Sequence, residues 1–223
     1  MRMVEKSVSE GKRKSEEENT INNYSRDFHV LVQRVQSCRL CPRMDGRLRV
    51  FGPANGSLEA NTLFIAEAPG RLGADRIRIP LYGDQSGRNF DLLLQAAQLD
   101  RKEIFITNAV LCNPRDAQGN NAPPTNSELM QCAQHLRSTI ELLQPRFVVT
   151  LGQVALRALN CIATHEVVLS AHVGNPRIWN ERWLIALYHP GARARIYRSL
   201  ALQQEDFRNL GAFIRNGERG KSE

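Results

Sequence analysis

Cys38 and Cys41 form a CxxC at the end of a predicted helix, Cys112 follows a predicted strand, and Cys132 lies within a predicted helix. Two close thiolates and two distant ones make a four-ligand set for zinc or for an iron–sulfur cluster. A CxxC is also the spacing of a redox pair, but no thioredoxin-like strand precedes this one, which favours metal binding. Cys132 falls on an apolar helical stripe, where a buried free thiol is the ordinary alternative. Cys161, the fifth cysteine, is expected to be such a thiol.

Two polar residues stand at the ends of apolar runs. In ITNAV, Asn108 offers a carboxamide that could read the edge of a base, donating from its NH₂ and accepting on its oxygen. Its alternative role is to tie down loop backbone. In LYHPG, His189 puts an imidazole at a strand end just before a Pro–Gly turn, where the ordinary alternative for an isolated histidine is packing under the sheet edge. Arg193, Arg195 and Arg198 follow it closely, as phosphate-contacting residues would, unless they are simply the solvated start of a helix.

The elements that position these residues are legible from patterning. Four nearly continuous apolar runs at 62–67, 103–110, 146–152 and 182–189 read as strands buried on both faces. Helical patterns separate them. Phe28, Leu31, Val32 and Val35 mark one amphipathic helix, and Phe90, Leu93, Leu94 and Ala97 mark another. In a third, Thr125 and Glu128 form a capping box, and Leu129, Cys132, Ala133, Leu136, Ile140 and Leu143 line one stripe. Alternating strands and helices predict parallel βαβ units and a three-layer α/β/α sandwich. Ligands of such sheets bind beyond the carboxyl ends of the strands. The segments leaving those ends are EAPGRLGADR, NAVLCNPRD, LGQ and YHPGARAR, which hold most of the residues able to do chemistry.

Composition narrows the partner. The chain has 223 residues, enough for one substantial domain, and a formal net charge of +7, which favours an anionic partner, nucleic acid first. No apolar run is long enough to cross a bilayer, and residues 1–20 contain no apolar segment of a secretory signal. A cytoplasmic location and reduced thiols are expected. Residues 1–24 and 215–223 read as charged, disordered tails around a single domain at 25–214.

Taken in order, EAPGRLGADR, then YGDQSG, ITNAVLCNP, PPTNSEL, VVTLGQVAL and YHPG resemble the iron–sulfur uracil-DNA glycosylases, families 4 and 5. The likeness runs from about Cys38 to Arg198. APGRLGADR and GDQSG are more similar to family 5, and Glu67 is closer to family 4. The resemblance implies a four-stranded parallel sheet and a structural 4Fe–4S cluster on Cys38, Cys41, Cys112 and Cys132. It implies a monomer that binds DNA, receives a flipped base in a pocket, and hydrolyses the N-glycosidic bond of a deaminated base.

Roles follow residue by residue from the same resemblance. His189 would hydrogen-bond the base O2 as negative charge grows there, and Asn108 would accept from N3–H and donate to O4 of uracil. Asp84 of YGDQSG would position the attacking water, with Glu67 the second candidate, because Ala68 stands where related enzymes carry a carboxylate. Pro69 and Gly70 would shape the pocket floor, and Arg71, Arg76, Arg193 and Arg195 would serve the phosphates. Leu81 stands where a base-stacking Phe is common, leaving Tyr82 as the aromatic neighbour. Gly70 replaces a bulky residue that would press on a 5-methyl group, so hypoxanthine and xanthine are expected as further substrates. The alternative is a cluster-containing protein of the same fold that binds lesions or abasic sites without cutting them.

Overall fold

The computed structural model describes residues 24–219, so the residues 1–23 of the expected N-terminal tail lie outside it. Helix α1 covers 24–37. There follow β1 (Thr62–Ala66), α2 (Ala74–Ile77), α3 (Gln85–Ala97), β2 (Phe105–Asn108), α4 (Asn126–Leu143), β3 (Phe147–Leu151) and α5 (Gln153–Leu159). The chain ends with α6 (Leu169–His172), β4 (Arg177–Trp179), β5 (Arg182–Leu187) and α7 (Leu200–Arg219).

The sheet order is β2-β1-β3-β5-β4, with β1 parallel to β2 and β3, and β3 parallel to β5. Residues alternate between its faces, and both faces are covered, which is why each core strand reads as an unbroken apolar run. Leu63, Ile65, Phe105, Val148 and Leu184 pack with α1, α4 and α5 on one side. Phe64, Ile106, Phe147, Val149 and Ile185 pack with α3 and α7 on the other. There Phe64 meets Phe90 edge-on at 5.4 Å and stacks near Phe207 at 6.2 Å. The three-layer α/β/α sandwich is therefore present, as are the Thr125–Glu128 capping box and its two reciprocal hydrogen bonds.

The sheet has five strands, not four. The addition is β4, an edge strand antiparallel to β5. Its hairpin turns on Asn180 and Glu181, both at positive φ (45° and 64°), the geometry of a two-residue type I′ turn. Asn-Glu lacks the glycine that usually announces this turn, so the sequence hides it.

The C-terminal tail expected at 215–223 is also shorter than patterning suggests. Helix α7 continues to Arg219, and 220–223 lie outside the described residues. Ile214 is buried, Arg215 donates to the carbonyl of Ala97 at 2.8 Å, and Arg146 donates to the carbonyl of Gly217. These contacts hold the last turns despite their polar composition. Among the described residues no helix is long and apolar enough to cross a membrane.

The α3–α7 pair carries one side of the site, and its closeness depends on Gly211. A Cβ there would lie 1.9 Å from the Ala97 carbonyl oxygen. Gly211→Ala is expected to lower the unfolding free energy by about 2–3 kcal/mol, read as a shifted urea midpoint with an unchanged m value.

Candidate active site

Because β1, β3 and β5 are parallel, their carboxyl ends open on one edge of the sheet, on both sides of the point where the chain order reverses between β1 and β3. A cavity of about 730 Å³ lies there. Glu67, Ala68, Pro69 and Gly70 enter it from the end of β1, Gly152 and Gln153 from β3, and Tyr188, His189, Gly191 and Arg193 from β5. Leu81, Tyr82, Asp84 and Ser86 close it from the segment leading into α3.

Asp84 caps α3. Its Oδ1 accepts from the N–H of Gly87 at 2.9 Å, the turn role its sequence context allows. Its Oδ2 has no hydrogen-bond partner among the described residues and sits against two glycines. A Cβ on Gly70 would lie 2.7 Å from Oδ2, and one on Gly73 2.8 Å. One oxygen is thus spent on the helix and the other faces the cavity.

His189 is half-buried, with its open side on the cavity. Its Nδ1 accepts from the N–H of Gly191 at 2.9 Å. A neutral imidazole bound this way carries its proton on Nε2, which is left as a donor. Burial pushes its pKa down to about 4, against a smaller upward pull from the carboxylate of Asp84. Gly191 has no room for a side chain, since a Cβ would meet Nδ1 at 2.8 Å and Ser86 Oγ at 3.2 Å.

Glu67 also reaches the cavity. Burial raises its pKa, and the charges of Arg193 and Arg157 partly offset this. Arg193 lines the cavity and is exposed, while Arg195 and Arg76 are exposed away from its wall. Arg71 is drawn to the 116–121 loop: its backbone N–H donates to Asn121 Oδ1 at 3.0 Å. Arg198 is taken by Asp206 in a bidentate pair at 2.6 and 2.5 Å, so it is a scaffold residue and not a free phosphate contact. Asn108 is not part of the cavity wall. It is 2 % exposed at the end of β2, and its Nδ2 has no hydrogen-bond partner among the described residues.

Leu81 adopts the left-handed conformation (φ 46°) and is buried against the α3 side of the core as well as lining the cavity. Arg101 supports this strained turn by donating to the carbonyls of Pro80 (3.1 Å) and Leu81 (2.5 Å). The same guanidinium lies 5.6 Å from the ring centre of Tyr82, which is exposed at the cavity mouth.

Several residues that build the site give no signal in the sequence as read. Asn89 on α3 donates to the carbonyl of Pro190 at 2.7 Å, fixing the peptide next to His189. Asp75 pairs with Arg115 at 2.6 Å, Arg115 donates to Asn113 Oδ1 at 2.7 Å, and Asn113 donates to the carbonyl of Pro69 at 2.6 Å. This chain of bonds bolts the β1 loop to the β2 loop. Position alone could have flagged Asn113 and Arg115, since both lie in NAVLCNPRD, a segment leaving a predicted strand end.

The cysteines form a second site. Cys38, Cys41, Cys112 and Cys132 line one cavity with Val35, Met44, Leu111, Arg49 and His135. Arg43 of the CPR turn binds Glu128 at 2.8 and 2.6 Å, holding the CxxC against the start of α4. Burial pushes the Cys112 thiol up to about 11 and the Cys132 thiol up to about 12. Among the described residues no three His, Cys, Asp or Glu side chains close tightly enough to hold one metal ion. Cys161 packs on the apolar core, as expected.

Comparison with known proteins agrees with this geometry. The model of the uracil DNA glycosylase superfamily matches residues 53–211. The chain belongs to that superfamily. It is similar to the Type-4 uracil-DNA glycosylase of Archaeoglobus fulgidus, 29% identical over 188 residues covering 81% of this chain and 90% of the relative. The Type-4 uracil-DNA glycosylase of Thermotoga maritima is 29% identical, over 86% of this chain and 98% of its own. The Type-5 uracil-DNA glycosylase of Thermus thermophilus is 32% identical, over 73% and 86%.

Two outcomes follow from the geometry. His189 binds a proton in the unfolded chain below about pH 6.5 and in the folded one only near pH 4. Between these values the unfolded state holds more protons, so stability rises with pH, by about 2–3 kcal/mol across the window. His189→Gln is expected to flatten that part of the stability profile, measured by chemical denaturation from pH 4 to 7. Asn89→Leu leaves the Pro190 carbonyl unpaired, and is expected to reduce turnover at least tenfold with little change in DNA affinity.

Proposed function

We propose that this protein is a monofunctional DNA glycosylase that hydrolyses the N-glycosidic bond of uracil, and of hypoxanthine or xanthine, in DNA. The observation that carries the proposal is the pairing across one cavity of a neutral histidine, fixed as an Nε2–H donor, with a carboxylate oxygen that has no hydrogen-bond partner among the described residues. The relatives' names support uracil as a substrate.

The reaction divides between the two groups. With uracil flipped into the cavity, the C1′–N1 bond breaks and its electron pair passes into the departing ring, so negative charge collects at O2; for a purine the bond is C1′–N9 and the charge spreads over the purine ring. Burial keeps His189 neutral at neutral pH, so it has no extra proton to give and meets that charge with a fixed Nε2–H hydrogen bond, not as a general acid. Asp84 Oδ2 accepts a proton from the water that bonds to C1′, giving an abasic sugar. Glu67 is the second candidate for that step. The unpartnered amide of Asn108 supports a role in reading the base edge, which requires it to turn towards the entering base. The exposed ring of Tyr82 on the cavity lining supports a stacking role in place of the missing Phe. Ala68, Pro69, Gly70 and Leu81 form apolar wall, and Arg193 supplies positive charge towards phosphate, with Arg71, Arg76 and Arg195 further out. We place the enzyme in the cytoplasm, as a monomer on chromosomal DNA.

The cysteine cavity suits a 4Fe–4S cluster held by Cys38, Cys41, Cys112 and Cys132. Its thiols are spread around a space instead of closing on a point, and a buried arginine is there to offset thiolate charge. A cluster there would brace the loops beside the DNA.

A base-release assay on duplex and single-stranded oligonucleotides carrying U, hypoxanthine or xanthine tests the proposal, with alkali revealing abasic sites. Release of uracil is expected. Binding to uracil or abasic DNA with no release of any base would instead make this a lesion-binding protein. His189→Ala and Asp84→Asn are each expected to reduce turnover about 10²–10³-fold, with binding nearly unchanged. Gly70→Ala distinguishes two roles for that glycine. If it only leaves room for bulkier bases, the variant narrows the substrate range. Contact with Asp84 Oδ2 predicts instead that turnover falls on every base.

A further inference from the structure

His135 lies on α4, 3 % exposed, with neither Nδ1 nor Nε2 hydrogen-bonded to any described residue. A buried imidazole without partners is costly, and its ring has at least one N–H to place. The ring lines the cavity shared by the four cysteines. Arg49, 8 % exposed, lines it too. Its guanidinium donates to the carbonyls of Cys38 and Arg47, and it forms no ion pair with a carboxylate among the described residues. Two buried groups, one an unpartnered donor and one an uncompensated cation, therefore face a space bounded by sulfur. Both features make sense together only if the occupant of that space is anionic and accepts hydrogen bonds.

We propose that His135 donates an N–H hydrogen bond to a sulfur of the iron–sulfur cluster, and that Arg49 compensates the cluster's negative charge, so that together they raise its reduction potential and its retention. This rests on the cluster assignment above. The physical reason is that a donor or a cation beside sulfur stabilises the more negative, reduced state over the oxidised one. Removing either shifts the potential in the negative direction. Neither residue replaces a thiolate as a ligand.

The test uses the full chain purified without oxygen. Iron and acid-labile sulfide are assayed first, with about four of each expected per chain. A wild-type protein that holds neither overturns the cluster assignment, and with it the acceptor that His135 requires. Redox titration followed by electron paramagnetic resonance then compares His135→Leu, His135→Gln and Arg49→Met with wild type at matched iron content. His135→Leu and Arg49→Met are expected to move the midpoint to more negative values, and His135→Gln, which keeps an N–H, to return most of the shift. Equal midpoints for Leu and wild type overturn the proposal while leaving the cluster assignment intact. Should the Leu variant not retain its cluster, wild type labelled with ¹⁵N-histidine decides. A weak nitrogen coupling to the reduced cluster, lost in His135→Gln, is expected. No coupling, or one as large as that of a directly bound imidazole, overturns the assignment of His135 as a donor.

Discussion

The hydrogen bond from the Gly191 N–H to His189 Nδ1 decides which ring nitrogen carries the proton, and so what His189 can offer a substrate. Much of the structure serves to keep that bond. Gly191 must lack a side chain, because a Cβ would collide with the ring it holds. The peptide before it is fixed by Asn89, which reaches from α3 to the Pro190 carbonyl. Helix α3 is itself started by Asp84 and braced by α7, whose Gly211 allows the two helices to touch backbone to backbone at Ala97. The histidine and the carboxylate are thus parts of one mechanical unit. Moving α3 would misplace both at once.

The facing wall is built by a different device. The β1 loop cannot be held by sheet hydrogen bonds, since it begins where the strand ends. It is held instead by side chains: Asp75 to Arg115, Arg115 to Asn113, and Asn113 to the Pro69 carbonyl. A buried carboxylate with one oxygen unpaired among the described residues is an expensive anchor, and its value lies in fixing two loops against each other. Arg101 does the same for the turn at Leu81 by donating to two consecutive carbonyls. Each anchor is a charged side chain spent on backbone geometry, which leaves Arg193 as the basic side chain on the cavity wall.

How far the sequence discloses this differs by element. The core strands and the long helices were legible, because burial on both faces of a parallel sheet writes continuous apolar runs and burial on one face of a helix writes a stripe. The edge strand β4 was not, because it is three residues long, partly exposed, and turned by Asn-Glu. The last turns of α7 look like a polar tail and are held by contacts to Ala97 and Arg146 that no local pattern encodes. In the site, Glu67 and His189 could be found because they stand at predicted strand ends, and Asp84 through the resemblance carried by YGDQSG. Asn89 and His135 could not, since each lies inside a helix and matters only through a neighbour distant in sequence. Arginines were misread most readily. Charge is visible in sequence, but whether a guanidinium is already occupied by a carboxylate or carbonyl is a tertiary fact, as Arg198 shows.

Gly70 draws the two aspects of the site together. From sequence it is an absence, a small residue where a larger one would crowd the base. In the fold it is the surface on which Asp84 Oδ2 rests, with Gly73 on the other side. The first reading makes it a determinant of which base enters, and the second makes it a condition for any base to be cut. Both arise from one missing methyl group, so they are hard to separate in evolution. A side chain large enough to press on a substituent of the base would first displace the carboxylate. A chain that keeps this carboxylate on the α3 cap is therefore bound to a roomy pocket floor. Narrow specificity would require moving the carboxylate elsewhere, and Glu67, already in the cavity on the β1 loop, is the other acidic side chain on its wall.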